Sequence, residues 1–558
     1  MRTSNINDSL KVNAIAGTYV VTLGFDLPKA KCNGLLGFSI LRTDDTGRAK
    51  FLEGMKCFEE TDPGFPAGSV YPSNEHPIQI FQWADYSAEP GKTYWYKVTA
   101  LKGSPANLKP FAECSVEVQT EDPKVGDQIV YFNRGTAASQ EYIRRFGNLA
   151  PNKVPNNRAF DWLSRGLYEA LVEFITSCQP GRHSLRIAAY EFVYEPLIKV
   201  IQETYDNGNG IDIKIVYDAK KAYPGKENRD LITQYNLNGI STPRTTYPSG
   251  ISHNKFIVKL EDDKPVEVWT GGTNFSDGGI FGHSNVAHVV KDPQVAELYL
   301  IYWNALEKNY DIDKLKSAVE EISTIPPADL PKGVSVLFSP RKDLTALKYY
   351  GDIARTANDA LFMTFAFGMN EIFKDVYRNS QASFRLALLE KKTRGYKPSQ
   401  DAERLLEEEE IQQLRDQVQN IFAVGNFIRT NEFDGWVKER LTGLNSNVNY
   451  IHNKFMLVDP LSEDPIVIGG SANFSDNSTK KNDENMLLVR GNTRIADIYF
   501  GEFMRLFSHF SFRESLKFRE DDKQPKPPKP LRTDDWWKSS FGNTSNSAKR
   551  KYFAQVES

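Results

Sequence analysis

The sequence predicts an α/β protein of mixed sheets flanked by helices, built twice over with pseudo-twofold symmetry behind an N-terminal all-β sandwich. Three observations predict it. Residues up to about 120 are short β-branched and aromatic runs separated by turn residues. From about residue 126, strand-like runs alternate with helix-like ones, as in a parallel or mixed sheet covered by helices. That alternation then recurs about 200 residues later in the same order, a scale of repetition that means duplicated domains and not a solenoid.

In the N-terminal module, Thr18–Asp26, Leu36–Leu41 and Phe81–Tyr86 read as strands, and Pro90-Gly91 turns the chain into Lys92–Ala100. Along that last run Tyr94, Tyr96 and Val98 share one face and Trp95, Lys97 and Thr99 the other. A Pro-Gly turn leading into Tyr-x-Tyr-x-Val-x-Ala resembles the penultimate strand region of a fibronectin type III sandwich, although Thr43–Pro77 is longer and less regular than such a domain carries. A sandwich over 1–122 is expected to position or recruit, not to catalyse.

The first repeat is placed at 125–325. Ser184–Phe192 is a strand, Pro196–Tyr205 a helix, Asn207–Gly210 a turn and Ile211–Tyr217 the next strand. The second repeat, at 332–518, follows with strand Ala360–Phe367, helix Asn370–Tyr377 and strand Ser383–Leu389. Each half opens on a similar short strand, Gln128–Phe132 or Val334–Phe338, and closes on a helix beginning Val295–Tyr299 or Ile495–Tyr499. Within the second half, the acidic run Asp401–Glu410 reads as a solvated inserted helix. The remainder, 519–558, is a proline- and lysine-rich C-terminal tail in which Lys523–Pro530 is expected to be an extended linker, with Trp536-Trp537 docking on the protein body.

Composition allows a large core and no special class. Of 558 residues, 40% are hydrophobic and 25% charged, with 69 basic against 72 acidic side chains and a net charge of -3. That balance excludes a wholesale polycation, but a local basic groove can hide within it, so charge does not choose between lipid and nucleic acid. The opening residues lack the pattern of a secretory signal, no run suffices for a membrane span, and a cytoplasmic protein is expected. Cys32, Cys57, Cys114 and Cys178 are scattered, which predicts free thiols in a reducing compartment and no zinc site.

The chemistry lies in two near-identical segments. Ile251-Ser-His-Asn-Lys-Phe-Ile-Val258 is followed by Thr270-Gly-Gly-Thr-Asn-Phe-Ser-Asp277. Ile451-His-Asn-Lys-Phe-Met-Leu-Val-Asp459 is followed by Gly469-Gly-Ser-Ala-Asn-Phe-Ser-Asp476. In both, 21 residues separate His from Asn: His253 to Asn274, and His452 to Asn473. Strand alternation would put His and Lys on one face with Asn254 or Asn453 on the other, and the glycines would turn the returning chain so that the Asn side chain joins them. An imidazole, an ammonium and an amide from each half suit a phosphodiester. One histidine can attack phosphorus; another can protonate the departing alcohol and then activate water. Lys255, Lys454, Asn274 and Asn473 would hold the charged oxygens, with no metal and no other cofactor required.

These segments resemble the His-x-Lys motifs of the phospholipase D superfamily, and the resemblance covers roughly residues 125 to 515. The second copy is complete, with Asp459 implied to support the site structurally. The first copy has Leu260 at that place; Asp262 and Asp263 lie near but out of register. A further departure lies 32 residues past each histidine, where the second half has Glu484 and the first Asn285. The resemblance implies that Glu484 orients His253 from the opposite half and favours it as nucleophile, leaving His452, facing Asn285, as acid and base.

The other histidines carry less. His76, His183 and His509 default to surface or satisfied-core roles; His283 and His288 are candidates for the cleft, without second-half counterparts. Phe275 and Phe474 are expected in the core. Three functions stay open: a phospholipase D-type hydrolase releasing a head group and leaving phosphatidic acid, a nuclease, and a degenerate phosphate binder. Peripheral membrane contact accompanies the first, which the resemblance favours slightly. Against the nuclease, Lys220-Lys221 and Lys391–Arg394 are only modest basic segments. The two halves are expected to build a single active site within one monomer.

Overall fold

The computed structural model describes residues 1–65, 69–135, 139–147, 149–206, 210–220, 223–245, 250–425, 450–520 and 530–556. Outside them lie Asn207–Asn209 of the expected turn, Lys221 of the first basic segment and Lys523–Lys529 of the expected linker.

The N-terminal module is all-β: β1 (Arg2–Asn7), β2 (Leu10–Ala16), β3 (Val21–Asp26), β4 (Gly37–Asp44), β5 (Ala49–Phe51), β6 (Glu53–Gly54), β7 (Tyr71–Pro72), β8 (Gln82–Asp85), β9 (Thr93–Ser104) and β10 (Asn107–Gln119). Two antiparallel four-stranded sheets, ordered β1-β2-β3-β8 and β10-β9-β4-β5, enclose a core in which Leu23 and Phe25 meet Phe38, Tyr96 and Val98. Along β9, Tyr94, Tyr96 and Val98 point inward and Trp95 and Lys97 outward. The arrangement is compatible with the fibronectin type III-like module expected there.

Two seven-stranded sheets follow. The first uses β11 (Gln128–Phe132), β12 (His183–Ala189), β13 (Asp212–Asp218), β14 (Ser241–Arg244), β15 (Lys255–Glu261), β16 (Lys264–Gly271) and β17 (Val286–Val290). The second uses β18 (Gly333–Ser339), β19 (Ala360–Phe365), β20 (Phe384–Leu389), β21 (Asn420–Val424), β22 (Phe455–Val458), β23 (Ile466–Gly470) and β24 (Glu484–Arg490). Their orders, β11-β17-β16-β15-β12-β13-β14 and β18-β24-β23-β22-β19-β20-β21, are the same path walked twice. In each, three strands run parallel to one another, β12-β13-β14 or β19-β20-β21, and the remaining neighbours pair antiparallel. The central strands are buried on both faces, as a sheet covered by helices requires.

Crossover helices Glu195–Asp206 and Glu371–Asn379 join the parallel strands. Asn370 caps the second, its side chain accepting from Ile372 N at 3.0 Å. Helices Pro293–Glu307 and Thr493–Glu520 close the two repeats, the first capped by Asp292 with Pro293 at its opening position. The acidic run lies in helix Asp401–Arg415, with Leu405 and Leu406 exposed.

Beyond the long helix, residues 530–556 carry a 3-10 turn at Trp536–Ser540 and a helix at Ser545–Ala554. Trp536 and Trp537 enter the core of the N-terminal sandwich, Trp536 donating from Nε1 to Leu35 O at 2.7 Å. Gly24 shows how close the helix comes, because a Cβ there would lie 2.1 Å from Phe553 O. The four cysteines are free thiols. No helix among the described residues is long and apolar enough to cross a membrane.

Candidate active site

Strand alternation does not place the histidines as the sequence suggests. The ladders begin only at Lys255 in β15 and Phe455 in β22, so His253 and His452 precede them. The segments that carry the histidines pair with the opposite repeat instead. Ser252 bridges Asp483, and Ile451 bridges Ser284, both in parallel. His253 N donates to Asp483 O and Asp483 N to Ile251 O, each at 3.0 Å. On the other side Ser284 N donates to Tyr450 O at 2.7 Å and His452 N to Ser284 O at 3.2 Å. The residue before each histidine is thereby pinned to the residue before Glu484 or Asn285.

Crossed side-chain contacts follow from those bridges. His253 Nδ1 lies 2.8 and 3.0 Å from the two carboxylate oxygens of Glu484. His452 Nδ1 lies 3.0 Å from Asn285 Oδ1. Lys255 and Lys454 each donate from Nζ to the carbonyl of the histidine two residues back, Lys454 at 2.6 Å. Tyr190 stands edge-on to His253 with ring centroids 4.9 Å apart.

Asn274 and Asn473 sit where the returning strand turns. The glycine three residues before each is obligatory: a Cβ on Gly271 would lie 2.4 Å from Val286 O, and one on Gly470 would lie 2.2 Å from Asn485 O. Each amide keeps its Oδ1 buried and without a partner. Among the described residues neither bonds to the histidines or lysines. Phe275 and Phe474, just after them, are core residues.

The site is desolvated and lined by basic groups. Burial holds Lys255 down to about 7 against the pull of Glu484, Glu191 and Asp218. Burial, and then repulsion from Lys255, holds Lys454 well below its ordinary range. His452 is also driven well down, by burial first and then by Lys454, His283, Lys255 and His253. Burial pushes Glu484 up to about 8, with Lys255 opposing. Two lysines and several imidazoles held down by burial in a dry pocket would be drawn towards their charged forms by a bound anion.

Two supporting carboxylates were not picked out from the sequence. Asp218 ends β13 and accepts from Ser252 N at 2.9 Å. Glu390 follows β20 at the equivalent position and accepts from Ile451 N at 2.8 Å and Tyr450 N at 3.3 Å. Each holds the backbone immediately before a histidine, and the signal was an acid ending the same strand in both repeats. Asp483 is in turn held by Arg244 at 3.3 Å, a pair with no exposure on either side.

The departure at Leu260 has a backbone cause. In the second repeat the β19–β22 ladder stops at Leu361↔Val458, and Asp459 takes over the next amides, accepting from Asn358, Asp359 and Ala360 N at 3.0, 2.8 and 2.8 Å. In the first repeat the corresponding ladder continues through Ser184↔Leu260 and His183↔Glu261. Those amides are already paired, so a carboxylate has nothing to cap, and Leu260 is buried. Asp262 and Asp263 form the left-handed turn between β15 and β16, with φ of 49° and 62°.

Of the remaining histidines, His288 is not in the cleft. It lies in β17 with Nδ1 3.2 Å from Tyr499 Oη and Nε2 3.1 Å from Gln128 Oε1, a satisfied core residue. His76 and His183 accept backbone N–H bonds from Phe58 and Gln179. His509 is buried against Phe510. His283 does reach the site, its ring centroid 4.5 Å from that of His452.

A family profile described as "Cardiolipin synthase, PLD-like domain" matches residues 171–306 and again 353–507, more than half of the chain. A search of curated proteins found no match. Among solved structures, phosphatidylserine synthase from Haemophilus influenzae Rd KW20 aligns at 10% identity over 62% of this chain and 85% of its own, with a TM-score of 0.44. The phospholipase D family member Nuc from Salmonella typhimurium aligns at 22% identity over 33% of this chain and 99% of its own, TM-score 0.23. Yeast tyrosyl-DNA phosphodiesterase aligns at 11% identity over 57% and 86%, TM-score 0.32.

Proposed function

Since the chain belongs to the family of phospholipase D-like domains, we propose that it is a phosphodiesterase acting on a phospholipid, releasing the head group and leaving phosphatidic acid. His253 attacks phosphorus through Nε2 while His452 gives the proton on its Nε2 to the departing alcohol oxygen. The phosphorus–oxygen bond breaks as the phosphorus–nitrogen bond forms. His452 then takes a proton from water, the oxygen attacks phosphorus, and the histidine is released. Lys255 and Lys454 with Asn274 and Asn473 hold the non-bridging oxygens as charge builds.

The observation that supports this reading most is the crossed pairing of His253 with Glu484 and His452 with Asn285. A carboxylate on Nδ1 raises the nucleophilicity of Nε2 and stabilises the cation formed on attack, which suits His253. An amide gives no such support, so a proton carried by His452 is held weakly and given up readily. The phospholipid choice leans on the cardiolipin synthase description of the matching profile. Purified protein, treated with chelator, is to be tested on vesicles of several phospholipids and on DNA and RNA. Head-group release, abolished in both His253→Asn and His452→Asn, is the expected result, with phosphohistidine trapped at His253. Cleavage of nucleic acid alone would replace the substrate, and activity surviving both substitutions would end the two-histidine mechanism.

A further inference from the structure

Each repeat carries a second polar side chain two residues before the one that meets the opposite histidine, and bonded to it. In the second repeat Asn482 donates from Nδ2 to Glu484 Oε1 at 3.1 Å. In the first, Asn285 donates from Nδ2 to His283 Nδ1 at 2.9 Å. The two sides of the site therefore differ in more than the exchange of Glu for Asn: the side facing His452 brings an additional imidazole.

We propose that His283 is a third imidazole of the active site, carrying its proton on Nε2 and donating it to an oxygen of the bound phosphodiester beside His452. The proposal rests on the reading of this site as a phosphodiester centre.

The tautomers follow from one amide. Asn285 Nδ2 lies 2.7 Å from the carbonyl oxygen of Gly279, which only accepts, so the amide cannot be turned over without setting oxygen against oxygen. With Nδ2 fixed there, the same nitrogen donates to His283 Nδ1, which must be bare, and the proton of a neutral His283 lies on Nε2. Asn285 Oδ1 faces His452 Nδ1, which must carry the hydrogen, leaving Nε2 of a neutral His452 as the basic atom. One amide thus fixes two neighbouring imidazoles in opposite tautomers: a base and a donor.

The rings are set to act together. Both are bound through Nδ1 to the same amide, with centroids 4.5 Å apart, so both Nε2 atoms lie on the sides of the rings away from it. The His283–Asn285 segment is clamped by the fully buried Asn133, which donates to His283 O at 2.9 Å and accepts from Asn285 N at 2.8 Å. Among the described residues His283 Nε2 has no protein partner. His288, a core histidine in the same strand region, has both of its nitrogens bonded. Burial, with Lys454 and Lys255 adding repulsion, holds His283 at about 3, so it stays a neutral donor near neutral pH.

The test uses the full-length protein with bis(p-nitrophenyl) phosphate as substrate and vanadate as a mimic of the five-coordinate state. His283→Phe is expected to lower kcat and weaken vanadate binding by roughly 10- to 100-fold, and His283→Gln, which retains an N–H donor, to recover part of both. Spectra of ¹⁵N-histidine protein should show His283 protonated on Nε2, and that nitrogen should shift when vanadate binds. A folded His283→Phe protein with wild-type kcat and vanadate affinity would overturn the proposal while leaving the phosphodiester reading intact. So would an Nδ1-protonated His283, a result independent of whether the Phe variant folds. A wild-type protein that neither hydrolyses the ester nor binds vanadate would overturn both.

Discussion

Glu484 of the second repeat holds Nδ1 of His253 of the first, 2.8 Å away across the interface between the two sheets. The contact joins residues 231 positions apart, yet it is set by backbone bonds one residue earlier, between His253 N and Asp483 O. Position and chemistry thus come from separate sources, so a side-chain change can remove one and keep the other.

Glu484→Gln is the direct case. The amide can still accept from His253 Nδ1 but cannot offset a cation on the ring. Activity is expected to fall by about 100-fold or more, with KM changed far less than kcat. Burial pushes Glu484 up to about 8. Its carboxylate therefore forms as pH rises through that value, and wild-type activity should climb there while the Gln variant shows no such limb. Rate profiles of both proteins check this.

Lys255 predicts proton uptake. In the free protein it is held to about 7, so at pH 8 it is largely uncharged. An anion beside it favours the ammonium, and binding must draw a proton from solvent. Calorimetric titration with vanadate at pH 8, in buffers of different ionisation enthalpy, should show uptake that falls in Lys255→Met, the remainder coming from Lys454, which burial also holds well down. The same group carries a stability signature. From about 7 up to its ordinary value the unfolded chain binds a proton that the folded chain does not, so this lysine's contribution to stability rises with pH across that window.

Much of this was legible in the sequence because duplication marks residues that packing alone does not explain. The 21-residue spacing from His to Asn, the glycines before each Asn and the exchange of Glu484 for Asn285 all appear as matched positions in two copies. Other features were hidden. The bridges that carry His253 and His452 are bonds between halves, and strand alternation, being local, put both residues on the wrong element. Leu260 looked like a lost carboxylate because the length of a ladder is not written at one position. Asp218 and Glu390 were visible as acids at strand ends, but strand ends are common places for acids.

Those two carboxylates predict a matched pair of effects. Each accepts the amide just before a catalytic-segment histidine, Ser252 N or Ile451 N, with Asp218 and Glu390 acting as positioning residues. Asp218→Ala and Glu390→Ala leave a buried N–H unpaired, costing roughly 1–3 kcal/mol each. The displaced imidazole should lower kcat on the phosphodiester more than vanadate affinity. Asp218→Asn and Glu390→Gln, which still present an acceptor oxygen, should recover most of both. Denaturation midpoints and kinetics on the four variants separate the two effects; equal behaviour of Ala and amide variants would mean that the hydrogen bond does not position the histidine.

Arg244 tests the deepest electrostatic contact between the repeats. Its guanidinium reaches Asp483 at 3.3 Å with both side chains sealed from solvent, and Asp483 is the residue whose backbone grips Ile251 and His253. Burial pushes the Asp483 carboxyl up to about 7 even with Arg244 pulling the other way. Removing the cation in Arg244→Ala leaves that carboxyl without its compensating charge, and loss of one partner of such a pair costs about 3–5 kcal/mol. Asp483 should then stay protonated to higher pH, so the destabilisation grows as the solution becomes more alkaline. Adding Asp483→Asn removes the buried charge and should return a substantial part of the lost stability, although not the packing of the arginine stem. Urea titrations of the single and double variants at pH 6 and pH 9 check this. Equal losses at both pH values, with no recovery in the double variant, would show that Arg244 acts by filling space and not by charge.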